Sequence, residues 1–206
     1  QWVFVPDNKI GWLPYAVHTA RKAAKQTPFD AVLASAPPYT GHLIGKAVSK
    51  ALGIPLITDF RDDWVGNPRH VYPTLAHRLN ERMEQSVLRH SAFSTTINTA
   101  IRDRLRRSVP EGDVRIFEQG YDPLDIVPSV AEANTRCTFT YTGVFYDAQT
   151  PDPILQGLHR AICSGQVAGD EVGARFVGLF TDPGSRLVRE LDLEDVVEAV
   201  GYVRHR

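Results

Sequence analysis

A chain of 206 residues, 43% hydrophobic and 23% charged, has the composition of a soluble globular protein long enough for one large or two small domains, which excludes a disordered polymer. Its apolar runs fall far below the roughly 20 residues a transmembrane helix needs, and no basic start followed by an apolar core marks a signal peptide. The net charge of -1 conceals an asymmetry: residues 1–128 hold 16 Lys and Arg against 13 Asp and Glu, a net of +3, and residues 129–206 hold 7 against 11, a net of -4.

The chain opens at Gln1 rather than Met, and Trp2-Val3-Phe4-Val5 reads as if already inside a fold, so an internal fragment is expected. Ala31 to Ala34 is a strand that ends at Ser35-Ala36-Pro37-Pro38. The following helix places Leu43, Ile44, Ala47, Val48, Ala51 and Leu52 on one face at helical spacing. Gly53 stops it, and Pro55 opens a second strand, Leu56-Ile57-Thr58, which runs into Asp59-Phe60-Arg61-Asp62-Asp63-Trp64. That is one βαβ unit. In open parallel sheets ligands bind beyond the carboxyl ends of the strands, so the loops SAPPYTGH and DFRDDW are both expected at the ligand-binding edge.

A Pro-bounded loop, Asn67 to Pro73, precedes a helix from about Leu75 to Arg89 with Leu75, Leu79, Met83 and Val87 at spacing four. Ala92 to Ile97 is strand-like, and Asn98 is the expected N-cap of a short basic helix to Arg107. Val109-Pro110-Glu111-Gly112 is turn chemistry, and Val114 to Phe117 is another strand. Gly120-Tyr121-Asp122-Pro123 breaks the alternation, and Ile126 to Arg136 has linker composition, which places a domain boundary at residue 128. Beyond it Thr138 to Thr142 closes on Gly143, and Thr150-Pro151 starts a helix to about Ile162. Ala174 to Gly178 is a strand, Asp182-Pro183 caps a further helix, and Val196 to Val203 is a last strand. The class is α/β with two parallel-sheet, Rossmann-like halves, domains 1–128 and 129–206, both incomplete in this chain.

Cys137 and Cys163 lack metal-ligand or disulfide spacing, so a reducing compartment is the default. Positive charge gathers at Arg69, Arg78, Arg82, Arg89, Arg102, Arg104, Arg106 and Arg107. Charge runs usually form solvated helix faces; the sharper reading is a surface for anionic lipid headgroups or a pyrophosphate-bearing acceptor. No nucleic-acid partner is expected.

The run Pro6-Asp7 with Gly11-Trp12, then SAPPYTGHLIGKAVSKALGIPLITDFRDDW, EQGYD, FTYTGVFYDAQTPDPIL, ARFVG and VVEAVGYVRH resembles the middle of a bacterial family 4 glycosyltransferase of the GT-B fold. The match extends over nearly the whole chain, with motifs in the family's order. One departure is Gln119, which stands in EQGYD where the family has Asn. The resemblance implies two Rossmann-like domains across a cleft, acceptor on the amino-terminal side and nucleotide-sugar donor on the carboxy-terminal side. It also implies sugar transfer in exopolysaccharide, lipopolysaccharide or capsule synthesis at the cytoplasmic membrane face. The family's first strands are expected upstream of Gln1, and its Glu-x7-Glu donor segment downstream of Arg206; the isolated 206 residues are then expected to be inactive.

Sugar transfer develops positive charge on the sugar ring and negative charge on the leaving phosphate, so a site needs carboxylates for one and cationic or amide donors for the other. DFRDDW offers both. Asp59, Asp62 or Asp63 can orient hydroxyls and Arg61 can hold a phosphate by bidentate contacts; alternatively Arg61 pairs with Asp59 or Asp63, the turn is braced, and Trp64 simply packs. A divalent metal on the three aspartates is a further alternative, against which the resemblance argues: no metal and no cofactor are expected. In the other loop Pro38 extends the backbone, Thr40 can cap the helix, Gly41 allows close approach to its positive end, and His42 lies in its first turn, where surface or packed histidines are commoner than catalytic ones. In the second half Gly143 and Gly178 follow strands where a backbone amide can meet a donor phosphate, with Val144, Phe145 and Tyr146 lining the cleft; turn glycine is the competing reading. Gly201-Tyr202 ends the third strand, near where the family reads the nucleotide base, and Tyr202 reads equally as core.

The assignment is therefore Asp59, Arg61 and Asp62 as catalytic; Pro38, Thr40, Gly41, His42, Asp63 and Trp64 as acceptor-binding; and Gly143, Phe145, Tyr146 and Gly178 as donor-binding. The reaction is transfer of a hexose-type sugar, with retention as the family does, onto a lipid-linked or saccharide acceptor. The other readings are a non-catalytic Rossmann-type module binding a phosphorylated ligand, with DFRDDW as an ion-pair turn, and a sugar epimerase of the same two-domain shape.

Overall fold

The computed structural model describes residues 4–68, 72–125, 135–145 and 149–204. The chain divides into two compact units, Gln1–Gly120 and Tyr121–Arg206. The boundary expected at residue 128 lies within 126–134, outside the described residues.

The first unit runs α1 (Leu13–Ala24), β1 (Val32–Ala36), α2 (Thr40–Leu52), β2 (Leu56–Phe60), α3 (Thr74–Leu88), β3 (Phe93–Thr96), α4 (Thr99–Ser108) and β4 (Val114–Ile116), with a short 3₁₀ turn at Ile10–Trp12 before α1. Its four strands are parallel and lie in the order β1-β2-β3-β4. Sequential order with helical crossovers is the arrangement short βα repeats favour. Along β2, Leu56, Thr58 and Phe60 are buried while Ile57 and Asp59 are half-buried, the two-residue period of a strand. Phe60, Trp64, Val87, Leu105, Val109 and Val114 form the centre of the core. Each such side chain, fully buried, contributes roughly 1.5–3 kcal/mol relative to exposure.

Asn98 caps α4 as expected: its Oδ1 accepts from the Ile101 amide at 2.9 Å. Helix α1 was not expected. Its inner stripe, Leu13, Ala16, Val17, Ala20, Ala23 and Ala24, is half-buried and mostly alanine, so its apolar period is weak in sequence although it packs against α2.

The second unit runs β5 (Cys137–Val144), α5 (Asp152–Cys163), β6 (Val172–Leu179), α6 (Asp182–Glu190) and β7 (Val197–Gly201), after a 3₁₀ turn at Pro123–Asp125. Its strands are parallel in the order β5-β6-β7. Leu155, Leu158, Val172, Ala174, Phe176, Val188, Leu193 and Val196 are its buried core. Both helix starts differ slightly from expectation. Helix α5 begins after Pro151 with no side-chain cap from Thr150, and the cap of α6 is Thr181, whose hydroxyl accepts from the Gly184 amide, rather than Asp182.

Candidate functional site

The carboxyl ends of β1, β2 and β3 bring Ser35, Asp59 and Thr95 side by side, because the register pairs Ser35 with Asp59 and Asp59 with Thr95. Asp59 Oδ2 accepts from the Ser35 hydroxyl at 3.0 Å and Oδ1 from the Thr95 hydroxyl at 2.8 Å. A carboxylate held by one donor on each neighbouring strand has a fixed orientation. Arg61, just past the strand end, is 41% exposed and reaches Asp59 Oδ2 only at 4.0 Å. Asp62 is exposed, with no hydrogen bond to the described residues. Arg61 and Asp62 therefore present one cation and one anion outward beside an immobilised carboxylate.

The last two residues of DFRDDW turn the other way. Arg104 of α4 donates to Asp63 Oδ2 at 2.7 Å and to both oxygens of Glu84 of α3 at 2.8 and 2.7 Å. Burial works against the Arg104 charge, but the hydrogen bonds and negative charge of Glu84 and Asp63 outweigh it and raise its pKa. Trp64 is fully buried, stacked on Tyr39 with centroids 5.0 Å apart and planes 4° from parallel, and its Nε1 donates to Asn80 Oδ1 at 2.8 Å. Asp63 and Trp64, assigned to acceptor on sequence, are thus engaged inside the unit. Long-range partners from α3 and α4 consume them.

The amino-terminal turn of α2 is also occupied from within. Asp7 accepts from the Thr40 amide at 2.9 Å and from the Thr40 hydroxyl at 2.7 Å. A carboxylate from 33 residues upstream therefore caps this helix end and meets its positive dipole, the role expected of Thr40 itself. Gly41 sits where a Cβ would come 3.2 Å from the Ser35 carbonyl oxygen, so its smallness serves the β1–α2 contact. Pro38 lies between them in the loop, and the Ala36–Pro37 and Pro37–Pro38 bonds are both cis. His42 is fully buried against Phe60, with ring centroids 4.4 Å apart, and among the described residues neither ring nitrogen has a partner at hydrogen-bond geometry. Burial pushes its pKa down to about 4, against the smaller upward pulls of Asp59 and the Ala34 backbone. It is a neutral core histidine at neutral pH.

In the second unit Gly143 and Gly178 are register partners at the carboxyl ends of β5 and β6, with φ of 146° and 122°. A Cβ on Gly178 would lie 2.1 Å from the Gly143 carbonyl oxygen, so only glycine fits there. Phe145 stacks on Tyr141 at 4.4 Å and packs against the core of this unit. Tyr146 lies outside the described residues.

Three of the described arginines that gather between residues 69 and 107 are ion-paired, Arg104 among them. Arg89 pairs with Glu111, Arg102 with Asp103, and Arg106 donates to the Val114 carbonyl. Arg69 lies outside the described residues.

Sequence reasoning missed Asp7 as a cap, Ser35 and Thr95 as the holders of Asp59, and Glu84, Asn80 and Arg104 as the anchors of DFRDDW. Only Ser35 and Thr95 carried a signal, as hydroxyls at the ends of strands flanking an aspartate.

A family model for the glycosyl transferase 4-like domain matches residues 3–120, more than half of the chain. The chain belongs to the glycosyl transferase 4-like family. No curated protein matches it. Among solved structures, Anabaena Alr3699/HepE in complex with UDP superposes with a TM-score of 0.67 at 16% identity, covering 97% of this chain and 55% of that one. Sucrose-phosphate synthase from Thermosynechococcus elongatus gives 0.65 at 14%, covering 98% and 53%. A UDP-N-acetylglucosamine 2-epimerase gives 0.55 at 14%, covering 98% and 53%. The chain thus spans about half the length of these proteins, and what it shares with them is the fold: two Rossmann-like parallel-sheet units of the GT-B type. Both SAPPYTGH and DFRDDW fall within the family match; Gly143 and Gly178 fall outside it.

Proposed function

We propose that the protein is a glycosyltransferase that moves a hexose-type sugar from a nucleotide-sugar donor to a lipid-linked or saccharide acceptor, with retention at the anomeric carbon, in cell-surface polysaccharide synthesis. The observation that carries this reading is the group at the end of β2 in the family-matched unit: Asp59 immobilised by Ser35 and Thr95, with Arg61, paired to it only at 4.0 Å, and exposed Asp62 beside it. In the reaction the bond from the anomeric carbon to the diphosphate oxygen breaks, a bond to the acceptor oxygen forms on the same face, and the nucleoside diphosphate leaves carrying away the proton released from the acceptor hydroxyl. Asp59 and Asp62 supply negative charge beside the developing cationic ring, and Arg61 supplies donors for a phosphate or acceptor hydroxyl. No metal or other cofactor enters this scheme.

The glycine pair Gly143 and Gly178 supports a donor role for the second unit, since strand ends without side chains leave backbone amides open to a phosphate. Because a relative of this fold was solved with UDP-glucose, that nucleotide sugar is the first donor to test.

Among the described residues no helix is long and apolar enough to cross a membrane. We place the protein in the cytoplasm, at the inner face of the plasma membrane. The 3₁₀ turn and helix α1 support the membrane contact: Trp12 at the end of the turn and Tyr15 in the helix are exposed, and residues 8–29 include Lys9, Arg21, Lys22 and Lys25 but no Asp or Glu. The deciding experiment is donor turnover by the full-length protein, with Arg61→Ala and Asp62→Asn as variants; unchanged turnover in both would remove the proposed site, and sugar epimerisation without transfer would change the class.

A further inference from the structure

The loop DFRDDW contains three carboxylates and one arginine, and without other partners Arg61 would fold onto its nearest acids. It does not. Asp63, two residues away, is taken by Arg104: Nε donates to Asp63 Oδ2 at 2.7 Å while Nη2 reaches Oδ1 at 2.5 Å. The same guanidinium grips both oxygens of Glu84, whose side chain is 1% exposed.

The backbone of the loop is tied to the same two carboxylates, with Val65 N donating to Glu84 Oε2 at 3.3 Å and Gly66 N to Asp63 Oδ1 at 3.2 Å. Tyr39 adds a hydroxyl donated to the Asp63 carbonyl at 2.7 Å. Packing leaves no slack: a Cβ on Gly66 would lie 2.3 Å from Asp63 Oδ2 and 2.5 Å from Arg104 Cδ. Upstream, Asp59 is pinned by the flanking strands. Two fixed points therefore bracket Arg61 and Asp62, and among the described residues the ion pair that Arg61 makes is with Asp59 at 4.0 Å.

We propose that Arg104 is a positioning residue of the site: by holding Asp63 against α3 and α4 it keeps that carboxylate away from Arg61, whose guanidinium, paired only at 4.0 Å with Asp59 among the described residues, stays presented to ligand. The consequence for turnover rests on the glycosyltransferase reading; the consequence for the loop does not. A planar fork is needed, because lysine offers one point charge and cannot serve two carboxylates bidentately.

The test uses the full-length protein as wild type, Arg104→Lys, Asp63→Asn and the double variant. Amide hydrogen exchange and UDP-glucose turnover are measured on each. In Arg104→Lys, exchange at Val65 and Gly66 should rise at least tenfold while β1 and α2 keep their protection. Its kcat should fall by about 10- to 100-fold, the scale of a misplaced reacting group, with KM changed much less. Asp63→Asn in the Arg104→Lys background should restore at least part of kcat, since the competing carboxylate is gone, without restoring thermal stability. Unchanged exchange at 65–66, protection lost uniformly across the first unit, or a double variant slower than Arg104→Lys would each overturn the proposal. If the wild type turns over no nucleotide sugar, the glycosyltransferase reading falls, and the exchange data alone decide whether Arg104 holds the loop.

Discussion

Trp64 Nε1 donates to Asn80 Oδ1 at 2.8 Å, joining the last residue of DFRDDW to the middle of α3 where both side chains are fully buried. Asn80 is itself held, its Nδ2 donating to the Ala76 carbonyl at 2.8 Å. Asn80→Ala should therefore strand a buried indole N–H and lower unfolding stability by about 1–3 kcal/mol. Urea unfolding followed by tryptophan fluorescence measures it, and a change within error would show that the contact is not made.

His42 gives a pH dependence with a definite sign. Its folded pKa, lowered to about 4, lies below the ordinary histidine value, so between the two the unfolded chain binds more protons than the folded one. Stability should be complete above about pH 6.5 and fall on acidification toward pH 4, with a slope from this group approaching about 1.4 kcal/mol per pH unit. Since both ring nitrogens lack partners among the described residues, His42→Leu should remove that component of the slope while preserving the fold at neutral pH. Equal slopes in wild type and variant would contradict the assignment.

Asp7 and Thr40 are a tertiary cap, and Asp7→Ala should cost about 0.5–2 kcal/mol, in the range of helix N-caps. The loss should appear as faster amide exchange in the first turn of α2. Unaltered exchange at Thr40 would argue against the cap.

Parallel alternation was legible because the strands are compact apolar runs and the helices carry apolar residues at helical spacing, although in α3 the expected stripe is half wrong: Leu75 and Leu79 are exposed, and the buried face is Ala76, Asn80, Glu84, Val87 and Leu88. The ends of β2, β5 and β6 were legible for the same reason: a strand that stops in charge or glycine marks its carboxyl edge. What failed to show was pairing at distance. Nothing local to Asp63 announces that Arg104, 41 residues later, will consume it, and nothing near Thr40 points to Asp7. Trp64 was assigned to acceptor with packing as the alternative, and it packs: it stacks on Tyr39 and donates to Asn80, residues that the local sequence does not point to. Alanine-rich α1 was invisible because alanine carries little hydrophobic contrast.

Gly178→Ala should be among the most damaging single changes in the second unit, combining a positive φ with a Cβ 2.1 Å from the Gly143 carbonyl oxygen. A loss above about 2 kcal/mol is expected, because backbone strain and overlap add. Thermal unfolding of the variant checks this, and an unchanged midpoint would mean that β5 and β6 do not approach so closely.

For the membrane contact, Trp12→Ala with Tyr15→Ala should reduce cosedimentation with vesicles containing anionic lipid while leaving the thermal midpoint nearly unchanged, since both side chains are exposed. Binding that persists undiminished would locate any membrane surface elsewhere.

The most direct measurement is release of UDP from UDP-glucose and a panel of other nucleotide sugars by the full-length protein, with and without lipid-linked or saccharide acceptors. The comparison is wild type against Arg61→Ala and Asp62→Asn. Acceptor-dependent release by wild type, reduced at least about tenfold in each variant with their thermal midpoints preserved, is the predicted result. Full turnover in both variants, or no release from any donor by the folded wild type, would contradict a sugar-transfer site at the end of β2.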